Sequence, residues 1–267
     1  MSMNPINQLR VSVIGSGKVA HSFCKAMQIG GVEIVQIYNR NRNGAEKLAS
    51  KLDRTTVVDR IEDLNINVDA VAVLVKDDAI ESTAKLIPFG IKRFHASGVT
   101  DREVLGEDNG VVWPIKSFNS ESASDSLLGV PFGVDASSEE FKKTLDRLVT
   151  CVGGRGFYAP FEVRSKVHLA AVFSDNFANH CLAVSQQILH DSGISSDLLQ
   201  TLAEGLLSGA LTGTSFKRQT GVAIRGDKGS QQKHLELIKS FSNSQELAEL
   251  YILLSKHIYE SHKNHIQ

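Results

Sequence analysis

Val11-Ser12-Val13-Ile14-Gly15-Ser16-Gly17-Lys18-Val19-Ala20 runs from a β-branched stretch straight into G-x-G-x-x-A. Helical spacing follows from Lys18 to Ile29. Gly15 permits a tight turn. Gly17 has no side chain, so a pyrophosphate can approach the backbone, and Ala20 is small enough for close helix–strand packing. The helix that opens here offers free N–H groups and a partial positive charge to phosphates. A glycine pattern alone is weak, but its place between a strand and a helix is the confirming context for a dinucleotide site. Gly15, Ser16, Gly17, Lys18, Val19 and Ala20 are therefore expected cofactor-binding residues.

The second strand selects the dinucleotide. NAD sites usually end that strand with an acid for the ribose 2′-hydroxyl. Here Glu33–Tyr38 runs into Asn39-Arg40-Asn41-Arg42, with no acid at the strand end. Arg40 and Arg42 suit a 2′-phosphate, because a guanidinium fork pairs well with an oxyanion. NADP(H) is the expected cofactor, with Asn39 and Arg40 on its phosphate.

Working outward, strand and helix patterns alternate: helix over 43–52, strand over 55–58, the apolar run Ala70–Val75, helix over 78–86 and a short strand at Arg93–His95. This alternation predicts βαβ units and a mainly parallel sheet. Ligands of such sheets sit beyond the carboxyl ends of the strands. Val75 and Lys76 after one strand, and Ser97 and Gly98 after the next, are thus expected near the nicotinamide half. From 111 the pattern reads as a strand broken by Pro114, a short strand over 131–134, a helix over 137–151 and an extended Phe157-Tyr158. Strand signals then stop. Helices are expected over 162–192, 195–208, 230–240 and 245–262, with a Gly/Thr-rich loop over 212–229. The expected architecture is an α/β Rossmann domain over residues 1–159 followed by an all-α domain over 160–267.

On a 100° helical wheel, His168, Val172, Asp175 and Asn179 share one sector, with Asn176 at its edge. Phe173, Phe177, Cys181 and Val184 lie opposite. A polar stripe of His and short polar groups fits a cleft, and equally a satisfied seam between helices. Histidine exchanges a proton near neutral pH, and hydride transfer to a carbonyl or imine needs a proton donor. His168 is the expected catalytic acid, with Asn176 beside it. Asn179 and Lys116 are candidate substrate contacts. Arg225 could bind an anionic substrate group or pair with Asp227.

Lys plus Arg number 29 against 30 Asp plus Glu, so the basic excess of a nucleic-acid binder is missing. No apolar run approaches the ~20 residues of a membrane span, and the first ten residues lack the apolar core of a signal peptide. A cytoplasmic location is the expectation. Cys24, Cys151 and Cys181 are widely spaced, which argues against disulfide or metal roles and predicts buried free thiols.

Ser165-Lys166-Val167-His168-Leu169-Ala170-Ala171-Val172-Phe173, Asn176-Phe177, Asn179-His180, Gln219-Thr220-Gly221, Ala223-Ile224-Arg225, His95-Ala96-Ser97-Gly98 and Trp113-Pro114-Ile115-Lys116-Ser117-Phe118 together resemble a group of candidate NADP-dependent oxidoreductases. These join a Rossmann domain to an uncharacterised helical domain, near the pyrroline-5-carboxylate reductase and 6-phosphogluconate dehydrogenase superfamily. The resemblance implies a helical domain that completes the active site and builds a homodimer. It also implies Pro where Val222 stands and Gln where Lys116 stands, so both positions depart from the group. The expected function is hydride transfer between NADP(H) and a small polar metabolite, without nucleic-acid or membrane partners. The alternatives are a non-catalytic NADP(H)-binding sensor and a structural dimer with a vestigial glycine loop.

Overall fold

A computed structural model describes residues 8–118, 126–210, 213 and 215–265. The readings that touch residues 1–7, 211, 212 and 214 lie outside the described residues. The chain forms β1 (Arg10–Ile14), α1 (Lys18–Ile29), β2 (Glu33–Tyr38), α2 (Arg42–Ala49), β3 (Thr56–Val57), β4 (Ala70–Val73), α3 (Ile80–Ala84), β5 (Arg93–His95), β6 (Asn109–Pro114), β7 (Pro131–Ala136), α4 (Glu139–Cys151) and β8 (Arg155–Tyr158). All eight strands join one sheet in the order β3-β2-β1-β4-β5-β6-β7-β8. Only the β6–β7 pairing is antiparallel among the described strands.

The alternation read from the sequence produces this sheet, and the chain reverses direction along it on either side of β1. The crevice between the carboxyl ends of β1 and β4 is the switch point at which such sheets bind ligands. All four residues of β4 are buried, as a strand covered on both faces requires. One face packs Phe23 and Met27 of α1 with Phe141, Leu145 and Leu148 of α4; the other packs Ile80 and Ala84 of α3 with Ile61 and Leu105. Each such apolar side chain, fully buried, contributes about 1.5–3 kcal/mol.

Several boundaries moved for identifiable reasons. β6 begins at Asn109, two residues before the apolar run at Val111, because Asn109 and Gly110 continue the ladder to β5 and β7. Pro114 ends β6, where its missing N–H costs nothing further. α4 is capped by Ser138, whose Oγ accepts from the Phe141 N–H at 3.2 Å, so the helix starts at Glu139.

Helices take over after Tyr158. α5 (Phe161–Ala171) leads into a π-helical turn over Val172–Phe177, followed by α6 (Ala178–Asp191), α7 (Gln200–Ala210), α8 (Lys228–Ile238) and α9 (Ser244–His265). The strands thus stop where the sequence reading placed a boundary, yet the compact unit containing the sheet continues to Asn176, and a second begins at Phe177. The reason is packing: Arg164 of α5 is fully buried within the first unit. In the second unit, Ala223, Ile238 and Leu247 are the buried apolar residues among those described, whereas Leu198, Leu202, Leu206 and Leu207 are exposed. Of the three free thiols only Cys24 is buried; Cys151 is half-buried and Cys181 exposed, which corrects the expectation of three buried thiols. Burial pushes the Cys24 thiol up to about 12, so it is inert. Among the described residues no helix is long and apolar enough to cross a membrane.

Candidate functional site

The turn after β1 is shaped by contact with β4. Gly15 takes φ +117°, and a Cβ there would overlap the Leu74 carbonyl. Only glycine tolerates both demands. The Gly15 N–H donates to Tyr38 O at 2.8 Å, and the Leu74 N–H donates to Ile14 O at 2.7 Å, which ties the turn to both neighbouring strands. Gly17 differs: it is the N-cap of α1 with φ −76°, and nothing lies within 4 Å of where its Cβ would be. No side chain among the described residues caps α1, so its first-turn N–H groups remain open to an anion. Ala20 is fully buried, as its expected packing role requires.

A cleft of about 1000 Å³ lies over this turn. It is lined by Gly15, Ser16, Gly17, Lys18 and Val19 from the turn, Asn39 and Arg40 after β2, Val75 and Lys76 after β4, and Ser97 after β5. The structure thus brings together ten of the twelve expected cofactor residues; Ala20 and Gly98 stand behind the lining. The two arginines separate in role. Arg42 is bonded to Glu46 at 2.7 Å and to Asp59. Arg40 is exposed in the cleft, and no described residue pairs with it. Both guanidinium groups suit a 2′-phosphate by type, with Arg40 the expected partner; Arg42 is committed to Glu46 and Asp59. Gly44, which the sequence reading passed over, keeps this corner open: a Cβ there would meet Ser16 Oγ at 2.6 Å and Asn39 Nδ2 at 3.0 Å.

Ser97 lines the cleft, but its hydroxyl is engaged. Oγ donates to Thr100 Oγ1 at 2.9 Å and accepts the N–H groups of Val99 and Thr100 at 3.2 and 3.0 Å. The Ser97 hydroxyl thus shapes the turn while the residue remains part of the cleft wall. His95 sets the start of the turn: its Nδ1 accepts the Ser97 N–H at 3.1 Å. Nε2 then carries the proton and faces Asp101 O at 3.4 Å. Burial first, and the Arg164 charge second, hold the His95 imidazole down to about 4.

Next to Ser97, Gly98 lies directly under His168. A Cβ on Gly98 would overlap the imidazole and approach the Trp113 ring to 2.9 Å. The Trp113 and His168 rings are 5.7 Å apart, tilted by 37°. A second pocket of about 280 Å³ is lined by Trp113, Lys116, Ser117, His168, Asp175 and Asn176, among others. His168, Asn176 and Lys116 are therefore brought together. Lys116 Nζ donates to Ser126 O at 2.8 Å, and the Ser117 hydroxyl bonds the Asp175 carboxylate.

A uniform helical wheel describes only part of this segment. The turn over Val172–Phe177 is π-helical, which closes i to i+5 rather than i to i+4. A uniform 100° step fails across it. Val172, Ser174, Asp175 and Asn176 all line the pocket, while Phe173 and Phe177, expected opposite the polar sector, are exposed. Asn179 and Arg225 belong to the second unit, where both are exposed. Arg225 lowers the Asp227 carboxyl through its charge, after the larger effect of the hydrogen bonds from Ser230.

Residues 130–258 match a family described as a domain of unknown function, DUF2520. Residues 1–88 match shikimate/quinate 5-dehydrogenase. The first match begins just before β7, inside the sheet rather than at the helices. No curated protein matches the chain. Among solved structures, a candidate NADP oxidoreductase from Bacteroides fragilis is 26% identical, covers 96% of this chain and 99% of its own, and superposes with a TM-score of 0.82. An imine reductase from Myxococcus stipitatus in complex with NADP+ is 16% identical, with coverages of 96% and 94% and a TM-score of 0.61. A 1-pyrroline-5-carboxylate reductase from Streptococcus pyogenes is 15% identical, with coverages of 94% and 99% and a TM-score of 0.60. The last two likenesses establish the fold. The chain is an α/β Rossmann unit followed by helices, and the resemblance read from its motifs holds.

Proposed function

We propose that this chain is an NADP(H)-dependent oxidoreductase that reduces a small polar carbonyl or imine, or runs the reverse oxidation. The observation that carries the reading is the cleft at the switch point. There an α1 N-terminus with no side-chain cap among the described residues, an unobstructed Gly17 and an Arg40 that no described residue pairs with meet, and Ser97 on the cleft wall precedes Gly98, against which His168 of α5 packs. These features fit a pyrophosphate on the α1 N-terminus and a 2′-phosphate on Arg40, with Asn39 and Ser16 beside it. The NADP+ held by the imine reductase on the same fold supports the same assignment.

When bound, the nicotinamide supplies or accepts the hydride. The chain's own residues then have separable tasks. The walls of the cleft from Val75, Lys76 and Ser97 orient the nicotinamide end. His168 delivers a proton to the substrate heteroatom during reduction and removes it during oxidation. Asn176 and Lys116 line the same pocket and hold polar substrate groups. Asn179 and Arg225 are left out of this assignment.

The second unit supports a homodimer. Leu202 and Leu206 are each more than half exposed, four residues apart on α7. An exposed apolar stripe on a helix unit with so little core of its own marks an interaction surface, and a second copy is its proposed occupant.

The test is turnover. Purified protein with NADPH is offered a panel of small carbonyl compounds and imines, and nicotinamide absorbance is followed. Substrate-dependent loss that disappears in His168→Ala supports the reading. Dinucleotide binding with no turnover on any member, and no effect of His168→Ala, favours a sensor instead.

A further inference from the structure

We propose that Arg164 is a positioning residue for His168, acting through the turn over Ser97–Thr100. The proposal rests on the reading in which His168 is the proton donor.

Arg164 stands in the first turn of α5 and is 0% exposed. Nη1 donates to Ala159 O at 3.0 Å and Nη2 donates to Thr100 O at 2.6 Å. Nε is buried with no hydrogen-bond partner among the described residues. Burial lowers its pKa, the charges of Asp135 and Asp101 act against that, and the guanidinium lies 5.7 Å from the centre of the Phe161 ring. A charge held by two carbonyls, with one N–H left over, is a costly way to fill a helix–sheet contact. An apolar side chain of similar length would fill it more cheaply. What the guanidinium adds is a grip on two specific carbonyls.

One of those carbonyls closes the turn. His95 Nδ1 fixes the Ser97 N–H, the Ser97 hydroxyl fixes Thr100, and Arg164 fixes the Thr100 carbonyl. Gly98 sits between these anchors with its open face against the His168 ring. Arg164 and His168 are four residues apart on α5, so they lie on the same side of the helix. The helix therefore grips the turn twice: Arg164 holds its end, and His168 rests on its middle. The charge of Arg164 also helps keep His95 neutral, which preserves Nδ1 as the acceptor at the start of the turn. Without Arg164, Thr100 is free to move away from α5, and the imidazole loses its seat.

A purely structural tether would affect stability alone. The proposal predicts more, and Trp113 can report it, because it is the one tryptophan in the chain and its ring lies 5.7 Å from His168. A protonated imidazole at contact quenches indole emission. The experiment records Trp113 emission against pH for the full chain and for the Arg164→Met, Arg164→Lys and His168→Gln variants, with circular dichroism and thermal melting on each. Wild type should show a pH-dependent quench that His168→Gln abolishes. Folded Arg164→Met should lose at least about half of that amplitude, as expected when a supporting contact is removed and a site loosens by a fraction of an ångström. Arg164→Lys, which keeps the charge and one donor arm, should fall between the two. If Arg164→Met does not fold, a reduced amplitude in folded Arg164→Lys supports the proposal. A wild-type quench in either folded variant, or a wild-type protein with no His168-dependent quench, overturns it. NADPH titration of the same samples separates the two readings. Failure to bind NADPH removes the cofactor assignment and leaves the emission result standing.

Discussion

His168 rests against Trp113 with ring centroids 5.7 Å apart, and the backbone of Gly98 fills the space beneath both rings. A methyl group at position 98 has nowhere to go without displacing one of them. Gly98→Ala should therefore lower turnover about 100-fold, the scale of effect expected when a catalytic group is misplaced by about 1 Å. Its stability cost should stay within the ~1–3 kcal/mol of an overpacked site. Steady-state kinetics beside a urea melt checks both halves of the prediction. Turnover at the wild-type rate would show that His168 works elsewhere or not at all.

Gly15 and Gly17 should separate fold from ligand binding. Gly15 combines φ +117° with a backbone carbonyl where a Cβ would go, so Gly15→Ala should cost ~2 kcal/mol or more of stability. Gly17 has ordinary φ and open space around it. Gly17→Ala should melt within about 0.5 kcal/mol of wild type yet bind dinucleotide about tenfold or more weaker, because its methyl occupies the path of the pyrophosphate. Paired melting curves and binding isotherms provide the check.

The parts of this site that were legible in the sequence are those that depend on local chemistry. Gly15, Gly17 and Ala20 announce a strand–turn–helix, and the missing acid after Tyr38 points to a phosphate. β-branched runs mark the strands because burial on both faces leaves no polar alternation to blur them. What stayed hidden depends on tertiary contact. The sequence cannot show that Asp59 and Glu46 claim Arg42. Ser97 looks like a free hydroxyl until the turn consumes it. The π-helical turn has no pattern in VFSDNF, so a uniform wheel misses Ser174. Arg164 offered one usable signal, its spacing of four from His168, but its complete burial could not be read from composition.

His95 makes stability depend on pH in a defined window. Its pKa in the fold is about 4, against an ordinary 6.5. Below pH 6.5 the unfolded chain takes up a proton that the folded imidazole refuses. Stability therefore falls as pH drops from about 6.5 to about 4, then levels off. At 1.36 kcal/mol per unit, the loss from this group totals about 3 kcal/mol. Urea melts across that range should show a shallower fall in His95→Gln, whose side chain takes up no proton. Parallel curves for the two proteins would mean that His95 is not the titrating group.

The exposed stripe on α7 predicts self-association. The wild-type chain should sediment as a dimer at micromolar concentration. Leu202→Glu combined with Leu206→Glu should weaken association by about 100-fold or more, given ~1.5–3 kcal/mol for each buried leucine. Analytical ultracentrifugation reads this directly. A monomeric wild type would leave the stripe without its proposed occupant.

Titration of the purified chain with NADPH and NADH reads whether the cleft over Gly15–Val19 holds NADP(H) with Arg40 on its 2′-phosphate. Wild type should prefer NADPH. Arg40→Ala should lose about 10- to 100-fold in NADPH affinity, the worth of one or two charge-assisted hydrogen bonds, with NADH affinity little changed. Arg42→Ala, whose guanidinium is already committed to Glu46 and Asp59, should keep the preference. Equal affinity for both nucleotides in wild type, or none for either, would rule that assignment out.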